Sequence, residues 1–312
     1  MYNFNRITDE SYPKIQRLYR ESFGSNHNLS SIKKKYDTSV FGLKNIGIIA
    51  EDSNNLPAAY YGVFPIILNY ASKNFIVAQS GDTMTSPNHR KKGLFIKLAK
   101  ETYQLSEKMD VKLIFGFPNE NSYPGFKNKL NWVFYGSMKK FTINNLTMPL
   151  CEFASKFNYF ESIYKKYVNY RMSKYILKPT AENIKCFDSS DAVNNIKKDE
   201  SFFKYKMERG ECFLLKINNF TLFIKPQTHL YIGDIGYFEK QKTKELIRTM
   251  KKLSQILGCK KTILSLSKNH WLYNHLIVEI QSYDSLPIGC YLFDDEINPN
   301  NIQFTHADYD TF

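Results

Sequence analysis

The sequence has no long apolar run and no recognisable leader. No stretch reaches the roughly 18 apolar residues of a membrane-spanning helix, so we expect none. The first residues lack the apolar segment of a signal peptide, which predicts a cytoplasmic protein. The five cysteines are scattered without a C-x-x-C pair. This spacing argues against a metal site and predicts free thiols.

Several catalytic motifs are also missing. There is no Gly-x-Ser-x-Gly and no His-Glu-x-x-His, so serine hydrolase and zinc protease chemistry have no support. Neither the P-loop nor the Rossmann glycine pattern occurs. His270 and His275 are five residues apart, which does not place them on one helix face.

Lysine is abundant, and the formal net charge is +13. The lysines occur mostly as scattered pairs rather than in one arm or helix, which makes nucleic acid an unexpected partner. We therefore expect a mixed surface that also attracts small polyanionic ligands, such as coenzyme A or a nucleotide sugar.

The most informative stretch covers residues 75–117. Residues 75–79 and 111–117 are β-rich apolar runs. Between them, apolar residues recur at spacings of one, three and four from Leu94 to Met109, which indicates an amphipathic helix. The order strand, turn, helix, strand predicts a βαβ crossover in a mixed α/β sheet.

The turn that leads into this helix is basic and contains a glycine. Arg90, Lys91 and Lys92 precede Gly93. The first N–H groups of a helix have no intrahelical partner, and the helix dipole leaves partial positive charge there. Gly93 lets the backbone approach a ligand closely. These features predict a pyrophosphate-binding turn; the alternative is a solvated connection.

At these residues the sequence resembles the GNAT-type N-acetyltransferase superfamily. The signature of that family is Arg/Gln-x-x-Gly-x-Gly/Ala, shortly after a proline that ends a strand. Pro87, Arg90 and Gly93 stand at the matching positions, and Phe95 replaces the usual Gly or Ala. Residues 117–132 resemble the family's Asn-x-x-Ala/Ser-x-x-x-Tyr/Phe-x-Lys-x-Gly-Phe/Trp segment. Together with the order of elements, the resemblance covers roughly the first 145 residues.

The second half repeats the pattern of the first. Gly233-Asp234 lies 152 residues after Gly81-Asp82, and a second amphipathic helix follows. We expect an α/β (α+β) protein with two acetyltransferase-like domains, each a mixed, mostly antiparallel sheet with a central βαβ crossover. The expected segments are an acetyl-CoA-binding domain (1–146), a helical linker (147–195) and a degenerate acetyltransferase-like domain (196–312).

The second turn lacks the features of the first. Its glycine is absent, and Glu245 stands where a pyrophosphate would arrive. Two negative groups a few ångströms apart repel each other by on the order of 1 kcal/mol or more. We therefore expect coenzyme A in the first domain only, with the second domain shaping the acceptor pocket or the domain interface.

Residues 153–177 are aromatic and basic, with aromatic side chains at helical spacing. This pattern predicts a helix that packs between two domains. A helix lying on a membrane surface is the alternative.

The family resemblance implies an N-acyltransferase that uses acetyl-CoA and needs no metal. It also implies that backbone groups of the central strand hold the pantetheine arm. The expected cofactor-binding residues are Met84, Thr85, Ser86, Arg90, Lys91, Lys92, Gly93, Leu94, Phe95, Asn119 and Asn121. The two asparagines could instead contact the acceptor.

Acyl transfer to an amine needs a base for the amine and a proton for the leaving thiolate. Tyr123 approximately matches the tyrosine that protonates the sulfur in the family; the alternative is an ordinary half-buried tyrosine. Asp82 is the candidate base, although its recurrence as Asp234 favours a structural role. Gln79, Glu120 or a chain of water molecules are the alternatives.

The expected function is transfer of an acetyl group to a small amine, such as an amino sugar or a nucleotide-linked amino sugar, in polysaccharide biosynthesis. One alternative is a peptidoglycan-type aminoacyl transferase that uses charged tRNA; those proteins usually lack the intact Arg-x-x-Gly turn. A non-catalytic coenzyme A-binding module is the other. The sequence does not indicate an oligomeric state.

Overall fold

The computed structural model describes residues 1–187 and 193–312. It divides into two compact units. Unit 1 consists of Met1–Tyr135 and Leu286–Asn300, and unit 2 consists of Gly136–Ser285 and Asn301–Phe312. Each unit therefore contains two separate stretches of chain.

This division differs from the expected segments. Part of the C-terminal half belongs to unit 1, whereas the predicted boundary at residue 146 assigned it to the second domain. The predicted linker, residues 147–195, belongs to unit 2. Its residues 188–192 lie outside the described residues.

Unit 1 contains the strand, turn, helix, strand order that the sequence predicts over residues 75–117. Its elements are β1 (Asn3–Arg6), α1 (Tyr12–Phe23), α2 (Leu29–Tyr36), β2 (Ile46–Glu51), β3 (Pro57–Tyr70), β4 (Lys73–Thr85), α3 (Leu94–Lys108), β5 (Leu113–Gly116), α4 (Tyr123–Lys129) and the first residues of β6 (Val133–Asn144). The predicted mixed, mostly antiparallel α/β class with a βαβ crossover is confirmed.

In the sheet of unit 1, β1, β2, β3 and β4 pair antiparallel in that order. Strands β4 and β5 are parallel and are joined through α3. The other edge of β5 pairs antiparallel with Gly289–Leu292, the end of a late strand. A strand from the far end of the chain thus completes this sheet.

The sheet of unit 1 has a core on each face. Tyr60 and Met84 pack with α1 and α2, while the adjacent Tyr61 packs with α3 and α4. Successive side chains of a strand point to opposite faces, which explains this division. Helix α3 forms because Leu94, Leu98 and neighbours make one buried stripe; each such fully buried apolar side chain contributes about 2 kcal/mol.

Unit 2 has a corresponding sheet. Its elements are the rest of β6, α5 (Leu150–Lys156), α6 (Asn158–Met172), α7 (Ala181–Ile184), β7 (Asn195–Ile196), α8 (Glu200–Glu208), β8 (Phe213–Ile217), β9 (Phe220–Pro226), β10 (Leu230–Ile235), α9 (Thr243–Ile256), β11 (Lys261–Ser267), α10 (Trp271–Leu276) and the start of β12 (Ser282–Leu292). The strand order is β8, β9, β10, β11, β6, and only β10 and β11 are parallel.

The single helix predicted over residues 153–177 is wrong. The structure has two helices there, α5 and α6, separated at Phe157, whose backbone is extended (φ −128°, ψ 107°). Crossing a bilayer would need a longer run of apolar helix than any helix in residues 1–187 and 193–312 provides.

Candidate functional site

The turn between β4 and α3 is exposed and has an open backbone conformation. Arg90, Lys91, Lys92 and Gly93 are all exposed. Gly93 adopts φ 73° and ψ 6°, in the left-handed region that favours glycine. A Cβ built on Gly93 would meet no atom within 4 Å. There is therefore free space directly in front of the helix.

The first amide groups of α3 lie at this turn. The Lys97 N–H donates to the Gly93 carbonyl at 3.2 Å, so the amides of residues 94–96 precede the first helical hydrogen bond. No side chain in the described part of the chain caps this helix end. With three basic residues beside them, these amides form a surface suited to a phosphate group.

Neighbouring residues hold the turn in place. The Tyr2 hydroxyl and His89 Nδ1 share a hydrogen bond of 2.8 Å. His89 Nε2 also lies 4.0 Å from an oxygen of Asp52. The Arg90 Nε donates weakly to the Thr85 carbonyl at 3.5 Å. Strand β1 and the β2–β3 turn therefore fix the backbone while the basic side chains stay solvent-exposed.

A cleft adjoins the turn on the side of α1. Its volume is about 430 Å³, and Arg17, Glu21, Asp52, Ser86 and His89 contribute to its wall. The Arg17–Glu21 ion pair, at 2.6 Å, spans one turn of α1. Both charge signs thus occur beside the basic turn.

Strands β4 and β5 pair over a very short distance. The register includes only Ala78 with Ile114 and Gln79 with Phe115. Beyond Gln79, β4 continues for six residues along β3 without further pairing to β5 in the described residues. This separation leaves an edge of β4 with backbone groups directed away from β3.

Met84, Thr85 and Ser86 lie at the end of this edge. Met84 and Ser86 have buried side chains, and the Ser86 N–H donates to the Ala58 carbonyl at 2.9 Å. Any contribution of Met84 and Ser86 to a ligand site would therefore come from remaining backbone groups, as the sequence analysis expected of this strand.

Asp82 lies at a β-bulge and is surrounded by donors. Its φ of 29° is unusual for a residue other than glycine, and the β3–β4 register shifts beside it. Lys35 donates to Asp82 Oδ1 at 2.7 Å. The hydroxyl of Tyr36 donates to Oδ2 at 2.9 Å, and that of Tyr19 also donates to Oδ2. Asp82 thus ties β4 to α1 and α2.

Tyr123 lies on a different side of the unit. It starts α4, and its half-buried ring packs on Phe134 with centroids 4.6 Å apart. Helix α4 covers the sheet face opposite α1 and α2. The structure therefore does not bring Tyr123 and Asp82 together in one hydrogen-bonded cluster.

The two predicted asparagines differ in their roles. Asn119 Oδ1 accepts from the N–H groups of Asn121 and Ser122, at 3.0 and 3.2 Å. Its carboxamide oxygen is therefore used locally, at the turn that begins α4. Asn121 is exposed, as is Glu120. Gln79, another candidate base, is buried at 5% exposure.

Phe95 occupies the position where the family usually has a small residue. Its ring packs on Phe126 at 5.2 Å and on Tyr61 at 6.0 Å. A Cβ on Gly125 would come within 2.5 Å of this ring. The side chain of Phe95 thus fills a space in the protein that Gly125 leaves open, and Leu94 is also buried. Both could contact a ligand only through their amides.

A buried hydroxyl chain was not predicted. Trp132 Nε1 donates to the Tyr103 hydroxyl at 2.8 Å, which lies 3.3 Å from the Tyr61 hydroxyl. The Tyr61 hydroxyl is 2.7 Å from Ser80 Oγ on β4. Burial raises the pKa of both tyrosines, so they remain neutral donors. Each tyrosine lies on an otherwise apolar stripe, and this position is the feature of the sequence that indicates a buried hydroxyl.

The cluster around Asp82 was also missed in part. Tyr19 and Tyr36 lie on the apolar faces of α1 and α2, where the sequence pattern predicts core residues. A carboxylate on a central strand requires donors when buried. That requirement, applied to Asp82, would have directed attention to these tyrosines and to Lys35.

No group of three histidine, cysteine, aspartate or glutamate side chains in residues 1–187 and 193–312 could hold a metal ion. All five cysteines are free.

Residues 3–134 match the family described as the acetyltransferase (GNAT) domain. No curated protein matches the chain. Among solved structures, a GCN5-related N-acetyltransferase from Kribbella flavida is similar, with 12% identity, a TM-score of 0.63, and coverage of 94% of this chain and 71% of the other.

Two further structures show the same fold similarity. One is a GCN5-related N-acetyltransferase from Anabaena variabilis, with 9% identity, a TM-score of 0.60, and coverage of 94% and 73%. The other is Saccharomyces cerevisiae N-myristoyltransferase with bound myristoyl-CoA, with 11% identity, a TM-score of 0.56, and coverage of 96% and 82%. At these identities the likeness concerns the fold.

Proposed function

We propose, from the premise that residues 3–134 form a domain of the GNAT acetyltransferase superfamily, that this protein is an acyl-CoA-dependent N-acyltransferase. The acyl donor binds unit 1, and the acceptor is a small molecule with a primary amine. Acetyl-CoA is the proposed donor.

One observation supports this proposal most: the exposed, uncapped start of α3. Three consecutive basic side chains and the amides of residues 94–96 face open space at Gly93. A diphosphate carries the charge that this surface would attract, and its oxygens accept from such amides. Arg90, Lys91 and Lys92 would hold the diphosphate together with these backbone groups.

The free edge of β4 supports the next part of the proposal. After Gln79 it is no longer paired with β5 in the described residues, so backbone groups near Met84 and Thr85 can bind the amide groups of a pantetheine arm. The yeast N-myristoyltransferase with bound myristoyl-CoA has a similar fold. We therefore propose that the thioester lies along this edge.

In the reaction, the neutral amine attacks the thioester carbonyl, and the C–S bond breaks as the amide bond forms. The amine loses a proton, and the thiolate gains one. We assign the thiolate proton to Tyr123. Asp82 is the proposed acceptor of the amine proton; it lies toward the sheet face opposite Tyr123, so the two side chains would reach the thioester from opposite faces where β4 and β5 separate. Tyr19 is added to the site because its hydroxyl donates to Asp82.

The geometry also gives Asp82 a second role. Three donors already hold its two oxygens, so it joins α1 and α2 to the sheet whether or not it takes a proton. Kinetics and stability of Asp82→Asn separate the roles: loss of kcat with unchanged KM and unchanged stability supports the base, whereas loss of stability together with a raised KM supports the anchor.

The proposed acceptor is an amino sugar, free or nucleotide-linked, in the cytoplasm. This part of the proposal rests on the family resemblance. The net charge of +13 is compatible with an anionic acceptor of this kind.

Release of free thiol from acetyl-CoA, measured with a panel of amines, tests the function. Amine-dependent release with an amino sugar is the expected result. Release that requires aminoacyl-tRNA would replace this function with the peptidoglycan-type alternative. Coenzyme A binding without turnover of any amine would indicate a non-catalytic module.

A further inference from the structure

Helix α6 in unit 2 carries three large apolar side chains and one lysine in a row on its solvent-exposed side. Tyr159, Ile163, Lys166 and Tyr170 are spaced by four, three and four residues, so they share one face of the helix. Tyr159 and Tyr170 are each 78% exposed, and Ile163 is 51% exposed. We call these four residues the aromatic face.

The opposite side of α6 already holds the helix in its unit. Val168 and Met172 are buried in the core of unit 2. The hydroxyls of Tyr164 and Tyr167 donate to the carbonyls of Leu257 and Ile256, at 2.9 and 2.6 Å. The core contacts of α6 and these hydrogen bonds thus come from the side opposite the aromatic face. A helix with apolar side chains on two opposite sides can pack against its own unit on one side and bind another surface on the other.

More exposed apolar side chains lie just before α6 and in its first turn. They are Met148, Phe153, Phe157 and Phe160, and each is more than half exposed. Exposed apolar patches of this extent mark interaction sites in monomeric proteins.

The charge of this region indicates what binds it. Residues 146–174 carry five basic and two acidic side chains: Lys156, Lys165, Lys166, Arg171, Lys174, Glu152 and Glu161. Glu161 pairs with Lys165 at 2.6 Å. Lys166 lies within the aromatic face itself and has no ion-pair partner in the described residues. The surface is thus both aromatic and cationic.

We propose that the aromatic face binds the surface of an anionic lipid bilayer. Tyrosine and phenylalanine rings suit the boundary between headgroups and acyl chains, and lysines at the same level attract anionic headgroups. A second copy of this chain is a poorer partner, because two such faces would bring like charges together around Lys166. The surface would bring the enzyme to a membrane without a spanning helix.

The test is co-sedimentation of the full chain with vesicles. One set contains phosphatidylcholine alone, and the other contains phosphatidylcholine with phosphatidylglycerol. Binding to the anionic set that weakens with added salt is the expected result. No binding, or equal binding to both sets, would overturn the proposal.

Variants locate the surface. The triple change Tyr159→Ser, Ile163→Ser, Tyr170→Ser should lower the partition coefficient by at least about tenfold, since it removes three apolar side chains from the bilayer boundary. Lys166→Glu should lower it by about fivefold or more. Tyr283→Ser, at another exposed tyrosine of unit 2, is the matched control and should bind like the parent chain.

Two outcomes of these variants would count against the bilayer. Unchanged binding by the triple variant would move the membrane contact elsewhere. Sedimentation of the parent chain as a dimer that the triple variant abolishes would assign the aromatic face to a second copy. Because the replaced residues are exposed, circular dichroism and the melting temperature should be unchanged, and thiol release in the absence of vesicles should match the parent.

Discussion

The entrances to α3 and α9 have the same topology and different chemistry. In both units the strand before the helix pairs antiparallel with the preceding strand and parallel with the strand after the helix. Each of these strands has a register shift near an aspartate, beyond its parallel pairing. Helix α3 starts after an exposed glycine at φ 73°. Helix α9 starts after Lys242 at φ −85°, where Thr243 Oγ1 donates to the Lys240 carbonyl at 2.6 Å.

The acidic residues make the second difference. Glu239 lies 3.5 Å from Lys242 and accepts from Gln241 at 2.8 Å, and Glu245 lies in the first turn of α9. These carboxylates oppose an anion where the first turn of α3 has no acidic residue. A helix N-terminus is present in both units, so the residues of the preceding turn decide whether an anion can bind.

The paired aspartates differ in a similar way. Asp82 is held by Lys35 and two tyrosines. Asp234 accepts from the Ile235 amide at 2.8 Å and from Thr305 at 3.3 Å. Burial, reinforced by the nearby Asp308 and opposed by Lys198, raises the pKa of Asp234 to about 7. Corresponding positions thus carry a charge-paired carboxylate and one that prefers to be protonated.

Exchange of the two turns should have the largest effect. Gly93→Glu should weaken coenzyme A binding by about a hundredfold or more, because a carboxylate then faces the diphosphate at short range. Calorimetric titration with coenzyme A measures this. Gly93→Asn, which keeps a neutral residue able to adopt positive φ, is the control and should bind far better. Glu245→Gly should leave affinity unchanged; unchanged affinity in Gly93→Glu would remove the site from this turn.

Removal of the Asp82 carboxylate should have the next largest effect, on the stability of the folded chain. Asp82→Ala leaves Lys35 buried without its carboxylate and should lower the free energy of unfolding by about 3 kcal/mol. Urea denaturation measures the loss. The double variant Asp82→Ala, Lys35→Met should recover part of it, and equal stability of the single variant and parent would contradict the anchoring role.

Replacement of Tyr123 in α4 and of Tyr273 in α10 should affect turnover differently. Tyr123→Phe should lower kcat by about tenfold to a hundredfold with a smaller change in coenzyme A affinity, since only the proton donor is removed. Tyr273→Phe in unit 2 should leave kcat unchanged. Thiol release at saturating donor and acceptor compares them. Full turnover by Tyr123→Phe would make Tyr123 a packing residue.

The smallest expected effect concerns Asp234. The folded chain keeps this carboxyl protonated up to about pH 7, whereas an ordinary carboxyl ionises near pH 4. Stability of the parent should therefore fall as pH rises through this window. Asp234→Asn should be more stable than the parent by up to about 2 kcal/mol at about pH 8, with little difference at about pH 4.

Melting curves at the two pH values test this expectation. Asp82→Asn is the matched comparison in unit 1, and it should not be more stable than the parent at either pH. A stability difference between Asp234→Asn and the parent that does not grow with pH would mean that Asp234 is ionised in the folded chain.

Local elements were predictable from the sequence because their causes are local. The stripe that includes Leu94 and Leu98 forms α3, and the order of elements up to β6 follows the apolar periods. The exposure of Gly93 could also be predicted, because it follows three basic residues in a turn. Helix ends are harder to predict: α9 starts at Thr243, so polar residues form its first turn before its first apolar residue, Leu246.

Long-range partners could not be predicted in the same way. Nothing near Asp82 in the sequence indicates Tyr19, Lys35 or Tyr36, which come from two other helices. Gly125 accommodates Phe95 from thirty residues away. The pairing of β5 with Gly289–Leu292 has no local signal at all, since only four residues of each strand take part in it.

The pairing of β5 with Gly289–Leu292 affects folding during synthesis. During synthesis, β5 leaves the ribosome long before Gly289–Leu292 does, so its outer edge waits with unpaired backbone groups. A fragment that stops near residue 146 would keep that edge bare permanently and would be prone to aggregate. The sheet of unit 1 can thus be completed only after synthesis has passed Leu292.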